Sequence, residues 1–164
     1  MIQLVDVLAR FGATGALGVL RCGASLADVE KVLGRPQPGG LLSDHEENRW
    51  PRTWFYRSAE LTVDKDLLIT MIVVSTWHPS PVTLPVRERD EYARLRTGVT
   101  YGPMTRALDR IGCGWERENR YDLETIYLTT KPADDIGVSF VLNASAPGDP
   151  PLHKVLAYRT LKDS

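Results

Sequence analysis

The sequence is poor in the residues that mark metal sites and disulfide scaffolds. Its 164 residues include only two cysteines and three histidines. Cys22 and Cys113 stand far apart, and neither has a second thiol or a histidine at ligand spacing. We therefore expect two small, buried apolar thiols, with neither a disulfide nor a zinc ion.

An excess of charge of either sign is also missing. There are 20 Lys and Arg against 21 Asp and Glu, and the formal net charge is -1. Proteins that neutralise nucleic-acid phosphates usually carry a strongly basic patch or stripe. The balance of charge therefore predicts no nucleic-acid partner.

Long apolar runs are absent as well. The longest unbroken ones, such as the MIVV of residues 71–74, have the length of a strand, whereas a membrane helix needs about 20 residues. The N-terminus carries no basic leader, and Asp6 interrupts its first apolar run, so no secretory signal is predicted. We expect a cytoplasmic protein with no membrane partner.

Catalytic and cofactor motifs are missing too. There is no Gly-x-Ser-x-Gly elbow, and the glycines of residues 12–18 lack the Lys-Ser/Thr of a phosphate loop. Residues 44–47 (DHEE) are of metal-ligand type, but neighbouring loop side chains seldom converge on one ion, so a solvated acidic loop is preferred. We predict no enzyme activity, no cofactor and no metal.

What the chain does have is the composition of a globular domain. Hydrophobic residues make up 43% and charged residues 25%, which is ordinary for folded proteins. A chain of this length buries roughly 68–70% of its unfolded surface. It should therefore fold without a disulfide or a metal.

Two segments, 23–36 and 98–112, share one pattern: a glycine, a Ser or Thr two residues later, and a short apolar-periodic helix. Ser25 and Thr100 are placed to cap these helices with their side chains. Gly34 and Gly112 stand where a residue in the left-handed conformation would end each helix. An earlier helix over residues 3–11, stopped by Gly12, is also predicted.

Each capped helix precedes a strand-rich stretch bounded by turn residues. The expected strands cover residues 53–56, 60–63 and 67–77, then 125–129, 137–142 and 152–158. We predict an α+β fold of two tandem helix-plus-antiparallel-sheet repeats, with the sheets forming one extended or concave face. The first repeat, with its leading helix, would span 1–78, a proline-rich and charged linker 79–92, and the second repeat 93–164.

This tandem arrangement, carried by the paired glycines, Ser25 and Thr100, resembles the beta-lactamase inhibitory proteins and the single units of small outer-membrane assembly lipoproteins. Those relatives are exported and the inhibitor has disulfides, so the inhibitor's target is not carried over. A second resemblance, carried by residues 33–36 (LGRP) and 56–61 (YRSAEL), is to small actinobacterial cytosolic proteins, many of immunity type.

These observations favour a non-enzymatic protein that binds and neutralises another protein, possibly a toxin. Aromatic and acidic side chains at loops and strand starts suit such an interface. The predicted contact residues are Asp44, Glu46, Glu47, Trp50, Trp54, Tyr56, Trp77, Asp134 and Asp135.

For Trp54 and Tyr56 the alternative is core packing. The alternative function is a small-ligand site or an enzyme in a cleft between the repeats, using Tyr56, Trp115, Glu124 and Tyr127. A structural subunit of a larger assembly is a third possibility, which a large exposed apolar patch would favour.

Overall fold

The computed structural model describes residues 2–39, 50–118 and 124–160. This part of the chain is an α+β fold with three helices, one large antiparallel sheet and two small two-stranded sheets. The helices are α1 (Leu4–Thr14), α2 (Leu26–Leu33) and α3 (Tyr101–Arg110). The strands are β1 (Ala16–Leu17), β2 (Leu20–Arg21), β3 (Gln37–Pro38), β4 (Arg52–Tyr56), β5 (Ala59–Val63), β6 (Ile69–Ser75), β7 (Val82–Pro85), β8 (Tyr92–Leu95), β9 (Glu116–Glu118), β10 (Thr125–Ala133), β11 (Ile136–Asn143) and β12 (Leu152–Arg159).

The large sheet has the strand order β3-β4-β5-β6-β12-β11-β10-β9, and all its neighbours are antiparallel. The first four strands come from the first half of the chain and the last four from the second half. The halves join where β6 pairs with β12, for example Val73 with Leu156. The six predicted strands are confirmed as β4, β5, β6, β10, β11 and β12. Whether the halves are copies of one unit stays a prediction.

Helix α1 continues past its predicted stop. Gly12 lies inside the helix, and the left-handed residue that ends it is Gly15, at φ 74°. A Cβ on Gly12 would lie 2.8 Å from Cζ of Phe140, so this glycine allows α1 to approach the sheet closely. The Thr130 hydroxyl donates to the Gly12 carbonyl at 2.6 Å, which satisfies one acceptor near the helix C-terminus.

The predicted side-chain caps are not formed. Ser25 and Thr100 precede α2 and α3 in extended conformation, but neither side chain caps its helix. The Asp149 carboxylate takes that place at α3, where it accepts from the Gly102 amide at 3.0 Å. Gly34 does have the positive φ predicted for the end of α2.

The predicted linker contributes to the core. Strands β7 and β8 form a hairpin, and Val82 and Leu84 are fully buried in the same cluster as the helices and the sheet. Val86 and the charged residues 87–91 form the turn of this hairpin. None of the helices in the described ranges has the length and apolarity to cross a membrane.

Candidate partner-binding surface

The large sheet has one covered face and one that we call the open face. On the covered face, alternate residues such as Leu61, Ile72, Val155 and Phe140 are fully buried beneath the helices. The residues between them point the other way, because successive side chains of a strand alternate between faces. Within the ranges that the structure describes, all three helices share the one core, and none packs on the open face.

One row of cross-strand neighbours crosses the whole open face. It runs through consecutive paired residues on β4, β5, β6, β12, β11, β10 and β9: Phe55, Glu60, Val73, Leu156, Ser139, Thr129 and Glu116. Phe55, Val73 and Leu156 are half-buried. The centre of the open face is therefore apolar although no helix of the described chain covers it.

A second row adds an aromatic ring to this centre. Met71 pairs with Tyr158 across the junction of β6 and β12. A Cβ on Gly137 would lie 2.8 Å from Cζ of Tyr158, so the ring lies over the glycine backbone of β11. The Tyr158 hydroxyl is 3.2 Å from Oγ of Ser139. The ring is thus held against the sheet, where it offers a broad apolar contact.

Two charged side chains flank the apolar centre without an ion pair. Glu60 on β5 and Lys154 on β12 are both half-buried, and no acid or base of the described chain pairs with either. Half-buried charges lose part of their hydration and gain most from a partner of opposite sign. The apolar centre therefore has one half-buried negative group and one half-buried positive group beside it, each suited to a partner group of opposite charge.

The predicted contact residue Trp77 lies just beyond the end of β6 and is 65% exposed. His153 stacks on its ring with 6.4 Å between centroids, and His78 meets it edge-on at 5.5 Å. The indole is therefore exposed yet held by two imidazoles. A large aromatic side chain in this state matches the residues that dominate binding energy at protein interfaces.

The predicted aromatic residues near β4 do not belong to the open face. Tyr56 is 3% exposed in the core, and its hydroxyl donates to the Gly34 carbonyl at 2.6 Å. Burial raises the pKa of this phenol well above its usual range, so it stays a neutral donor. Tyr56 therefore packs in the core, which was the alternative prediction for this residue, and a partner cannot reach it.

Trp54 shares the covered side with Tyr56. It is half-buried, and its indole N–H is buried without an acceptor in the described chain. Trp50 precedes β4 and is 37% exposed, with the Arg52 guanidinium 4.5 Å from the ring centroid. Of the three aromatic residues predicted here, Trp50 is the most exposed and Tyr56 is buried.

Asp134 and Asp135 occupy the turn between β10 and β11, where Asp134 is exposed and Asp135 half-exposed. This turn lies at the same end of the sheet as Trp50, whereas Trp77 lies at the opposite end. The structure thus does not gather the described members of the predicted set into one patch. Asp44, Glu46 and Glu47 fall outside the described residues.

The residues suggested for a ligand or catalytic site between the halves are not brought together. Tyr56 on β4 and Tyr127 on β10 are five strands apart, about 24 Å at ~4.8 Å per strand, and they point to opposite faces. At the junction itself, β6 and β12 are joined by a ladder that leaves no cleft between them.

The cysteines and acidic groups give no metal centre among residues 2–39, 50–118 and 124–160. Cys22 and Cys113 are free and half-buried. Burial raises the pKa of the Cys22 thiol to about 11, so the thiol is protonated at neutral pH.

Sequence reasoning missed the apolar residues of the open face, although a sign of them was present. The MIVV run of β6 places apolar side chains at odd and even positions alike, which is typical of strands covered on both faces. The length of the run excludes a membrane span, and its composition also indicates a strand that is covered on both faces. No known protein family, curated protein or solved structure matches the chain.

Proposed function

We propose that this chain is a protein-binding protein of the inhibitor or immunity type, and that its open face contacts the partner. The observation that carries the proposal is the apolar character of β6 and β12 on both faces. Val73, Leu156 and Met71 lie on the face that the described chain leaves uncovered. A second protein bound to this face would bury these apolar side chains, so that both faces of the two strands would be covered.

The size of the open face agrees with this function. Eight strands about 4.8 Å apart, with roughly five residues each at ~3.4 Å, give an area of roughly 600 Å². In a complex of standard size each partner buries about 800 Å². The open face together with its rim, including Trp77, therefore approaches a complete interface.

The resemblance to inhibitor and immunity proteins favours a partner whose activity is blocked by binding. Acidic groups at the sheet end, Asp134 and Asp135, would speed association with a basic toxin. The same groups would slow association with an acidic one.

The test is site-specific photo-crosslinking followed by affinity measurement. A photoreactive residue at Thr62, on the open face, should capture a stoichiometric partner from native cytosol, whereas one at Lys31 of α2 should not. The captured protein is then purified, and its own activity is titrated with the chain. Stoichiometric inhibition is expected of an inhibitor or immunity protein.

Two matched variants locate the interface. Leu156→Arg places a charge on the open face and should weaken binding by about 100-fold or more, as loss of a central contact does. Ile111→Arg makes the same change at a site 45% exposed near the end of α3 and should leave affinity within about twofold. Equal affinities for wild type and Leu156→Arg would exclude the open face as the interface.

A further inference from the structure

A cleft on the helix side of the molecule has the dimensions of a small-molecule site. It has a volume of about 930 Å³ and lies between α1, the β1–β2 hairpin and the turn joining β7 to β8. Sites for small organic ligands typically have roughly 300–1,000 Å³. No side chain of the open face lines this cleft.

Each of the three walls contributes one arginine to the cleft. Arg10 comes from α1, Arg21 from β2 and Arg87 from the β7–β8 turn. Arg10 and Arg21 form no ion pair with the acids of the described chain. Their guanidinium groups remain available to an anion.

The acidic groups near the cleft leave this positive character in place. Asp6 is directed to Arg110 of α3, at 3.6 Å. Arg87 forms only a long ion pair with Glu91, at 4.0 Å. The Glu91 carboxylate lies closer to Arg89, at 2.6 Å. Glu88 is the remaining acid of the lining, against three guanidinium groups.

Apolar side chains line the cleft between the arginines. The half-buried Val7 belongs to its lining, as does Ile2, which is 48% exposed, while the buried Leu17 lies beneath them. An exposed isoleucine beside guanidinium groups suits a ligand with an apolar body and a charged end. A simple inorganic anion would leave this apolar surface in water.

The walls are fixed against each other at one end of the cleft. A Cβ on Gly18, at the tip of the β1–β2 hairpin, would lie 2.5 Å from the carbonyl oxygen of Arg87. Hairpin and turn are therefore in direct backbone contact. A cleft with fixed walls binds with less loss of conformational entropy than one that must close.

We propose that this cleft binds an organic anion with an apolar body, such as a carboxylate or a phosphate ester. Arg10 and Arg21 hold the oxyanion through paired N–H donors, which match carboxylate and phosphate geometry. Val7 and the exposed Ile2 contact the apolar body. The site is separate from the open face, so the two proposals stand or fall independently.

The test uses anilinonaphthalene sulfonate, a fluorescent aromatic anion, and phenylnaphthylamine, which has the same rings without the sulfonate. Wild-type protein should show one saturable site for the sulfonate and at least about tenfold weaker binding of the amine. Arg10→Gln and Arg21→Gln should each weaken sulfonate binding by about tenfold, the effect of losing a charge-assisted hydrogen bond.

Two controls keep the result specific. Arg94→Gln removes the same charge from β8, outside the cleft lining, and should leave the dissociation constant within about twofold. Leu156→Arg should also leave it unchanged, because the open face is not involved. Equal binding of both probes, or equal affinity for wild type and the two cleft variants, would overturn the proposal, as would loss of binding in either control.

Discussion

Replacing Gly12 by alanine should improve helix propensity but crowd the core. The structure predicts that the crowding outweighs the gain, so the variant should be less stable than wild type. In a helix interior, alanine is favoured over glycine by about 1 kcal/mol. Here the added Cβ would lie 2.8 Å from Cζ of Phe140 and 3.2 Å from Cδ2 of Leu108. Both neighbours are fully buried, so neither side chain can move into solvent.

The expected magnitude follows from these two terms. Overpacking a well-filled core usually costs about 1–3 kcal/mol, and two tight contacts with buried atoms place this site in the upper half of that range. After the gain of about 1 kcal/mol in helix propensity, Gly12→Ala should lower the free energy of unfolding by about 1–2 kcal/mol. The thermal midpoint would fall by about 3–6 °C.

Urea denaturation of three further variants separates the terms. Ala13→Gly, at the next and half-buried position of α1, measures the propensity term together with the loss of one half-buried methyl group. Phe140→Leu, with and without Gly12→Ala, tests the clash. Leucine lacks the ring that the added Cβ would meet, so the loss of stability caused by Gly12→Ala should be smaller in this background. The reasoning fails if Gly12→Ala raises the free energy of unfolding by about as much as Ala13→Gly lowers it.

Two further predictions concern polar groups at helix ends. Thr130→Val removes the donor to the Gly12 carbonyl and should lower the free energy of unfolding by about 1–3 kcal/mol. As a control, Thr129→Val on the open face should change the free energy of unfolding by less than about 0.5 kcal/mol. Equal effects of the two variants would contradict the role of the Thr130 hydroxyl. Hydrogen bonds from Thr100 and Gly102 lower the pKa of Asp149 below 3.8, so its stabilisation is present above the unfolded-state pKa and lost as pH falls through the folded one. Asp149→Asn should therefore be less stable than wild type at pH 7, and urea titrations over a series of pH values should show the difference shrinking as the pH falls below the unfolded-state pKa. A constant difference would exclude the carboxylate.

The long strands were predictable because each combines β-branched or aromatic residues with turn residues at both ends. The β7–β8 hairpin was not, although Thr83 separates Val82 from Leu84, because the surrounding prolines and charges suggested a linker. Gly12 was misread for a related reason. Sequence does not distinguish a glycine that ends a helix from one that allows a close approach to Phe140.

The candidate surface was harder to predict than the fold. Strand side chains alternate between faces, so the predicted Trp54 and Tyr56 lie on the opposite side of β4 from Phe55 of the open face. Only the pairing of β6 with β12 reveals that Val73 and Leu156 lie side by side. Residues so distant in the chain cannot be matched without knowing which strands are neighbours.

The position of β12 has a consequence for folding during synthesis. It follows every other strand of the described chain, yet it pairs with β6 at the middle of the sheet. Until the ribosome has released β12, the apolar β6 keeps an unpaired edge, and such edges invite association with other chains. The nascent protein is therefore prone to aggregate while β6 has emerged and β12 has not.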